Sequence, residues 1–405
     1  LGAFVAYRRG TNGRIATVGL RVDPILHGEL SEKNRAALTS KRERWNELLR
    51  RSSSVSTRHV VAGSYPGSRR IADDVAEAIR ASLRDNNAPA VVTPEQLRNS
   101  SPLANTSTIV IAACIDEAKE LLSVSRTLRD VQEDGSTSYV AVADLMGSKS
   151  ERDRLRSNLT FGQPGPGTFS LHTLFCLPLN CYEEVPSWET EGQELKRVID
   201  WADDCEIDVP EGLERRIQFL QKAPAEGIVE NLFWPAPDGR ALALRSDFTL
   251  IRDARRDPPA TQADLFAVMG LVLTALRHNE DVNRRLAHNA YERVVLSPHN
   301  FDRFNDGILQ ASLLRSARPQ ELAYGACDLS ISEQMLDVLT HALPDGDVPE
   351  KSEALMEFLV ALLTRRMSLH TMHMVDFCER VSKLLPISDV RGLIARYLLH
   401  REPKR

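Results

Sequence analysis

Between Arg58 and Ala143 short aliphatic runs alternate with amphipathic helical stretches, and this alternation constrains the fold more than any other feature of the chain. His59-Val60-Val61-Ala62, Ala90-Val91-Val92, Thr108–Ala113 and Tyr139–Ala143 are near-continuous apolar runs. A strand apolar on both sides must be covered on both faces, which predicts a parallel sheet layered by helices. The intervening stretches fit that role. Ile71, Val75, Ile79 and Leu83 recur every four residues, and Ala118, Leu121, Leu122, Ser125 and Leu128 form the inner face of a further helix. Beyond a Gly- and Pro-rich loop at 162–167, Thr168–Leu177 is expected to return as the last strand.

The flanks read differently. Leu1–Arg9 and Arg14–Val22 surround Gly10-Thr11-Asn12-Gly13, and an Asn-Gly pair closes hairpins because both positions favour positive φ. Ser31–Arg51 reads as a polar, arginine-rich helix. Trp188–Ala202 is expected to be helical, and Asn231–Trp234, Pro237-Asp238-Gly239 and Ala241–Ile251 suggest a second hairpin. From Thr261 onward the pattern is helical, with Leu265, Val268, Met269, Val272 and Leu276 at helical spacing. Ser330 with Glu333 reads as a capping box. The expected parts are a basic hairpin plus helix at 1–55, an α/β core at 56–185, a connecting helix and hairpin at 186–255, and a helical domain at 256–405.

Composition excludes several classes. With 405 residues, 42% of them hydrophobic, the chain can bury sizeable cores and is not disordered as a whole. Its densest apolar stretch, 265–276, is about half the length a bilayer requires. The formal net charge of −5 hides an asymmetry, since residues 1–58 hold 12 basic against 5 acidic residues. That segment could meet nucleic acid, an acidic partner or the acidic remainder of its own chain, and nucleic-acid binding is expected nowhere else. Cys114, Cys176, Cys181, Cys205, Cys327 and Cys378 include no CxxC pair, so they read as reduced thiols of a cytoplasmic protein rather than zinc ligands. No metal site and no particular cofactor is expected.

Two segments could carry chemistry. The first is the strand–loop–helix in which Gly63, Ser64, Gly67 and Ser68 form a small-residue loop ahead of Arg69 and Arg70. Small residues let backbone N–H groups approach an anion, a helix N-terminus adds partial positive charge, and the arginines could fork onto phosphate. The alternative is an ordinary strand-to-helix turn with solvated arginines. It is neither a Walker loop nor a dinucleotide fingerprint, since GK[ST] and GxGxxG are both missing. The second segment runs from the Thr108–Ala113 strand through Cys114, Asp116, Glu117 and Lys119 into a helix.

The order of these elements, with Leu121-Leu122, Leu128-Arg129 and the Tyr139–Ala143 strand, resembles the type I phosphoribosyltransferase family over about residues 56–150. The resemblance implies a phosphoribosyltransferase-like α/β core and a loop at 63–70 that contacts pyrophosphate. It also implies acidic residues at the end of the second strand, followed by a Thr-Gly phosphate loop. Here Ala112, Ala113 and Cys114 occupy the strand end, and Asp116 and Glu117 follow with no glycine. The resemblance therefore implies a degenerate site: a phosphate- or nucleotide-binding module with reduced or no catalysis. Such folds with added helical domains occur in bacterial assemblies that include phage-defence systems, which implies a protein partner through the helical domain.

An active phosphoribosyltransferase remains the alternative. A further one is a nuclease of HEPN type. Arg365 and His370 have its loose Arg-x4-His spacing and Arg366 with His373 gives an x6 version, but Arg293 and His299 also meet the loose rule, in a chain rich in arginine.

Overall fold

The computed structural model describes the chain apart from residues 1–2, 10–14, 28–34, 66, 83–88, 100–104, 133, 161–167, 180–184, 225, 246–259, 287–293, 345–351 and 402–405. The chain divides into two compact units: Leu20–Cys181, and Leu1–Gly19 together with Tyr182–Arg405. The hairpin strands β1 (Phe4–Arg9) and β2 (Ile15–Leu20) form a two-stranded sheet of their own, and their expected Asn-Gly turn lies outside the described residues. No described helix is long and apolar enough to cross a membrane.

The α/β unit begins with α1 (Val22–His27), α2 (Arg35–Ser52), β3 (Thr57–Ala62), α3 (Ser68–Ser82) and β4 (Ala90–Val92). It goes on through α4 (Pro94–Arg98), β5 (Ser107–Ile115), α5 (Ala118–Val131), β6 (Thr137–Asp144), α6 (Lys149–Thr160) and β7 (Phe169–Cys176). The five strands β4-β3-β5-β6-β7 pair in that order, all parallel. This is the layered, all-parallel α/β sheet expected from the sequence. Every residue of β5 and β6 is buried, which explains why these strands contain no polar alternation. Ile71, Val75 and Ile79 of α3 are buried as their spacing requires, while Leu83 lies outside the described residues. Gly135, which leads into β6, sits at φ +114°, and a Cβ there would stand 2.0 Å from the Thr106 carbonyl oxygen, so only glycine fits that turn.

The order of the strands fixes where a ligand can be held. From β3 the chain steps outward to β4, then crosses back to β5 on the other side of β3. Consecutive connections therefore diverge at the β3/β5 boundary, and in open α/β sheets ligands sit at the carboxyl ends of the strands where this reversal occurs.

The other unit holds α7 (Ser187–Asp204), α8 (Glu211–Gln221), α9 (Gln262–Arg277), α10 (His299–Arg303) and α11 (Gly307–Ser316). It ends with α12 (Leu329–His341), α13 (Leu355–Leu363), α14 (Thr371–Leu384) and α15 (Val390–Arg401). Strand β1 belongs here. Ala6 exchanges backbone bonds with Ile228, and buried Tyr7 donates its hydroxyl to Glu189 at 2.7 Å. The hairpin and α2, read from sequence as one basic segment, thus fall into different units.

Two expectations are corrected in this unit. The described part of the second hairpin, 231–245, contains the Pro237-Asp238-Gly239 turn but no strand, and 246–251 lie outside the described residues. Two of its backbone donors go to side chains instead of a ladder: Phe233 N–H donates to Gln262 (3.1 Å) and Trp234 N–H to Glu357 (2.9 Å). The residue capping α12 is Asp328, so Ser330 and Glu333 lie inside the helix rather than forming its capping box.

A buried ion network holds the helices together. Arg315 of α11 reaches Glu191 of α7 at 2.7 Å and Glu357 of α13 at 2.7 Å, and Arg216 of α8 donates to Glu191 at 2.9 Å. Trp234 Nε1–H adds a bond to Glu191 at 2.7 Å. All four charged side chains are almost wholly shielded from water. Burial alone would push the Glu191 carboxyl up, but the guanidinium groups of Arg216 and Arg315 outweigh it and hold it below the usual carboxylate range.

Candidate functional site

The two sequence-picked loops meet at the β3/β5 boundary. After β3, Gly63 N–H donates to the Ile111 carbonyl of β5 at 2.8 Å, and the Ser68 hydroxyl at the start of α3 accepts from Ala113 N–H at 3.0 Å. Gly67, at φ +89°, supplies the left-handed turn into α3, and its carbonyl accepts from Ile71 N–H at 3.1 Å. Pro66 lies outside the described residues.

The middle of the loop faces a carboxylate of its own chain. Glu120, in the first turn of α5, accepts from both the backbone N–H and the hydroxyl of Ser64, the latter at 2.9 Å. A Cβ at Gly63 would stand 2.8 Å from Glu120 Oε1 and 3.2 Å from the Ile111 carbonyl, so glycine there allows this close approach. Beside it the Tyr65 hydroxyl donates to Asp116. The Glu120 carboxyl is pushed up, chiefly by burial and further by the charge of Asp116, against the lowering effect of the Ser64 bonds. The loop's donors therefore already hold an anion, and that anion is held in a setting that favours its neutral form.

The arginines turn elsewhere. Arg69 pairs with Asp73 one turn along α3 at 3.2 Å, and Arg70 pairs with Asp23 of α1 at 2.9 Å. His27 bridges Asp23 (3.1 Å) and Asp74 (2.7 Å), linking α1 to α3. Both arginines remain more than half exposed, which makes these pairs weak and exchangeable.

In the second segment, Ala112, Ala113 and Cys114 are buried in the sheet. The Cys114 thiol donates weakly to the Leu20 carbonyl at 3.9 Å. Glu117 stands at the N-cap of α5 in extended geometry with no side-chain cap bond, and Lys119 is exposed. A residue the sequence reading passed over is Asp144, buried at the end of β6 and registered against Ile115. It accepts from Met146 N–H at 2.9 Å and pairs with Arg152. An acid closing an otherwise apolar strand was the available signal. Among the described residues no group of three or more His, Cys, Asp or Glu is arranged to hold a metal ion.

In the helical unit three of the nuclease-like residues, Arg366, His370 and His373, are engaged in packing. Arg366 is buried and donates to the Leu314 (2.9 Å) and Arg315 (2.6 Å) carbonyls at the end of α11. His370 bonds the Cys327 carbonyl at 2.9 Å, and His373 bonds the Ser332 hydroxyl at 2.9 Å. Arg365 is exposed, at φ +56°. Arg293 lies outside the described residues.

No protein-family model matches the chain. No curated protein matches it either. Among solved structures it is similar to the orotate phosphoribosyltransferase of Mycobacterium tuberculosis H37Rv in complex with inorganic phosphate, at 14% identity over 43% of this chain and 89% of that one, with a TM-score of 0.26. It is also similar to the orotate phosphoribosyltransferase of Francisella tularensis, at 10% identity over 54% of this chain and 93% of that one, with a TM-score of 0.27.

Proposed function

We propose that the α/β unit is a phosphate- or nucleotide-binding module of reduced catalytic capacity, and that the chain acts as a subunit of a larger bacterial assembly. The observation that carries this reading is Glu120 seated on the Ser64 N–H and hydroxyl at the β3/β5 boundary. Donors that hold a carboxylate are suited to a phosphate oxygen, and Gly63 and Gly67 keep the loop backbone accessible to one. Reduced catalysis follows from what fills the second segment. Ala112, Ala113 and Cys114 supply no group for ribose hydroxyls, and Asp116 is engaged by Tyr65. The partner-facing role falls to the helical unit, where Leu329 of α12 and Met372 of α14 expose half or more of their surface on helices packed against each other.

The test is a thermal-shift panel on the full chain with inorganic phosphate, pyrophosphate, a nucleoside monophosphate and phosphoribosyl diphosphate, each with and without Mg²⁺. Phosphate-bearing ligands are expected to raise the melting temperature, and a parallel assay that supplies purine and pyrimidine bases as acceptors is expected to show no Mg²⁺-dependent release of pyrophosphate from phosphoribosyl diphosphate. Such release would establish an active transferase and overturn the reduced-activity reading. Failure of every ligand to stabilise the chain would remove the anion site.

A further inference from the structure

We propose that the outer edge of β7 is a docking site for an extended acidic peptide segment of another protein, which adds to the sheet as a sixth strand. β7 is the last strand in the order, and the N–H and C=O groups along its outer side have no hydrogen-bond partner among the described residues. It is eight residues long, against three for β4 at the opposite edge. Its sequence, Phe-Ser-Leu-His-Thr-Leu-Phe-Cys, contains no proline, glycine, lysine or acid. Natural edges are usually blunted by such residues, by a bulge or by shortness, and β7 has none of these protections. Six of its eight residues are only partly buried. An edge of this kind is a template for strand addition, in which the main chain supplies affinity and alternate side chains supply selectivity.

The flanks decide the partner's charge. Both α2 and α6 pack against β7. From Lys41 to Arg51, α2 carries five basic residues against two acidic, and α6 carries four against two. Arg51 of α2, which also pairs with Glu47 one turn back, and Arg156 of α6 are exposed and bear on the same ring, His172 in the middle of β7. The imidazole is held below its ordinary value, first by burial and then by these two guanidinium groups. Positive charge from two helices thus converges on the strand. A second copy of this chain would bring like charges face to face, so the flanks disfavour self-pairing and favour an acidic strand. A nucleic acid would satisfy the charge, but it could not match the alternating donors and acceptors of a strand edge.

The experiment is fluorescence anisotropy on the full chain with a labelled, capped peptide of alternating glutamate and valine, matched in length to β7. A lysine–valine peptide and a short single-stranded DNA serve as comparisons. The glutamate peptide is expected to bind and the lysine peptide not to bind. The R51E/R156E double variant, with an unchanged melting curve, is expected to weaken binding by roughly tenfold or more. Hydrogen exchange on the complex should show new protection in 169–176. The proposal is overturned if the glutamate peptide does not bind, if charge reversal leaves its affinity unchanged, if the DNA binds in its place, or if the chain dimerises through this edge.

Discussion

Replacing Arg315 with alanine is expected to lower the stability of the helical unit by about 3–5 kcal/mol, because removing one partner of a buried ion network leaves uncompensated charge in the interior. For a unit of this size that corresponds to a fall in melting temperature of roughly 6–20 °C. The variant leaves Glu357 without its guanidinium, leaves Glu191 with Arg216 alone, and opens a cavity beside Trp188, whose ring lies 5.5 Å from the Arg315 guanidinium. The pH dependence separates charge from packing. In the parent chain the depressed Glu191 carboxyl contributes stability that is present above the unfolded glutamate value of about 4.3 and is lost as pH falls through the folded one. Glu191 therefore gives the parent no gain in stability on going from pH 7 to pH 5. In the Arg315→Ala variant Glu191 loses one of the two guanidinium groups that offset its burial, so its carboxyl moves upward and the loss relative to the parent should be smaller at pH 5 than at pH 7. Calorimetry at the two pH values checks both directions. Equal losses at both would reduce the network to packing.

Replacing Glu120 is expected to have the second large effect. In the parent chain an external anion must displace this carboxylate from Ser64 and then accept the neighbouring negative charge of Asp116. Glu120→Gln removes the charge but keeps an acceptor for the Ser64 donors, whereas Glu120→Ala removes both. With a factor of ten for each 1.4 kcal/mol, affinity for pyrophosphate is expected to rise roughly tenfold in the first variant and roughly a hundredfold in the second. Because burial pushes the Glu120 carboxyl above its ordinary value, it takes up a proton in the folded state before an exposed glutamate would. Binding of sulfate, whose own charge is constant over the range, should therefore strengthen in the parent as pH falls from neutral and stay flat in Glu120→Ala. Calorimetric titration of the three proteins checks the order of affinities. Equal affinities would show that Glu120 does not compete for the loop.

What the sequence made legible follows from what burial demands locally. Strands such as 108–113 and 139–143 announced themselves because a doubly covered strand must be apolar throughout, and the every-fourth pattern at Ile71, Val75 and Ile79 followed from the same core. Gly63, Ser64, Gly67 and Ser68 were found as a loop, and the chain places them at the sheet end where the strand order reverses. Their partner was not legible. Glu120 lies 56 residues from Ser64, and on its own it reads as an ordinary first-turn acid complementing the helix dipole. The carboxylates that pair with Arg69 and Arg70, Asp73 and Asp23, acquire that role through helix spacing and the docking of α1. The second hairpin was inferred from a real turn at 237–239. Its flanks form no strands because Glu357 and Gln262, brought in by other helices, take the backbone donors a ladder would have used. Long-range side-chain capture of this sort leaves no periodic trace in the sequence.

The most direct measurement of the central claim is a backbone-amide NMR titration of the full chain with pyrophosphate, carried out on the parent and on Glu120→Ala. The account predicts that the amides of Gly63, Ser64 and Gly67 and those of 114–118 move together, at lower pyrophosphate concentration in the variant than in the parent. Amides at 63–68 that stay in place in both proteins, or shifts confined to the basic helix α2, would contradict it.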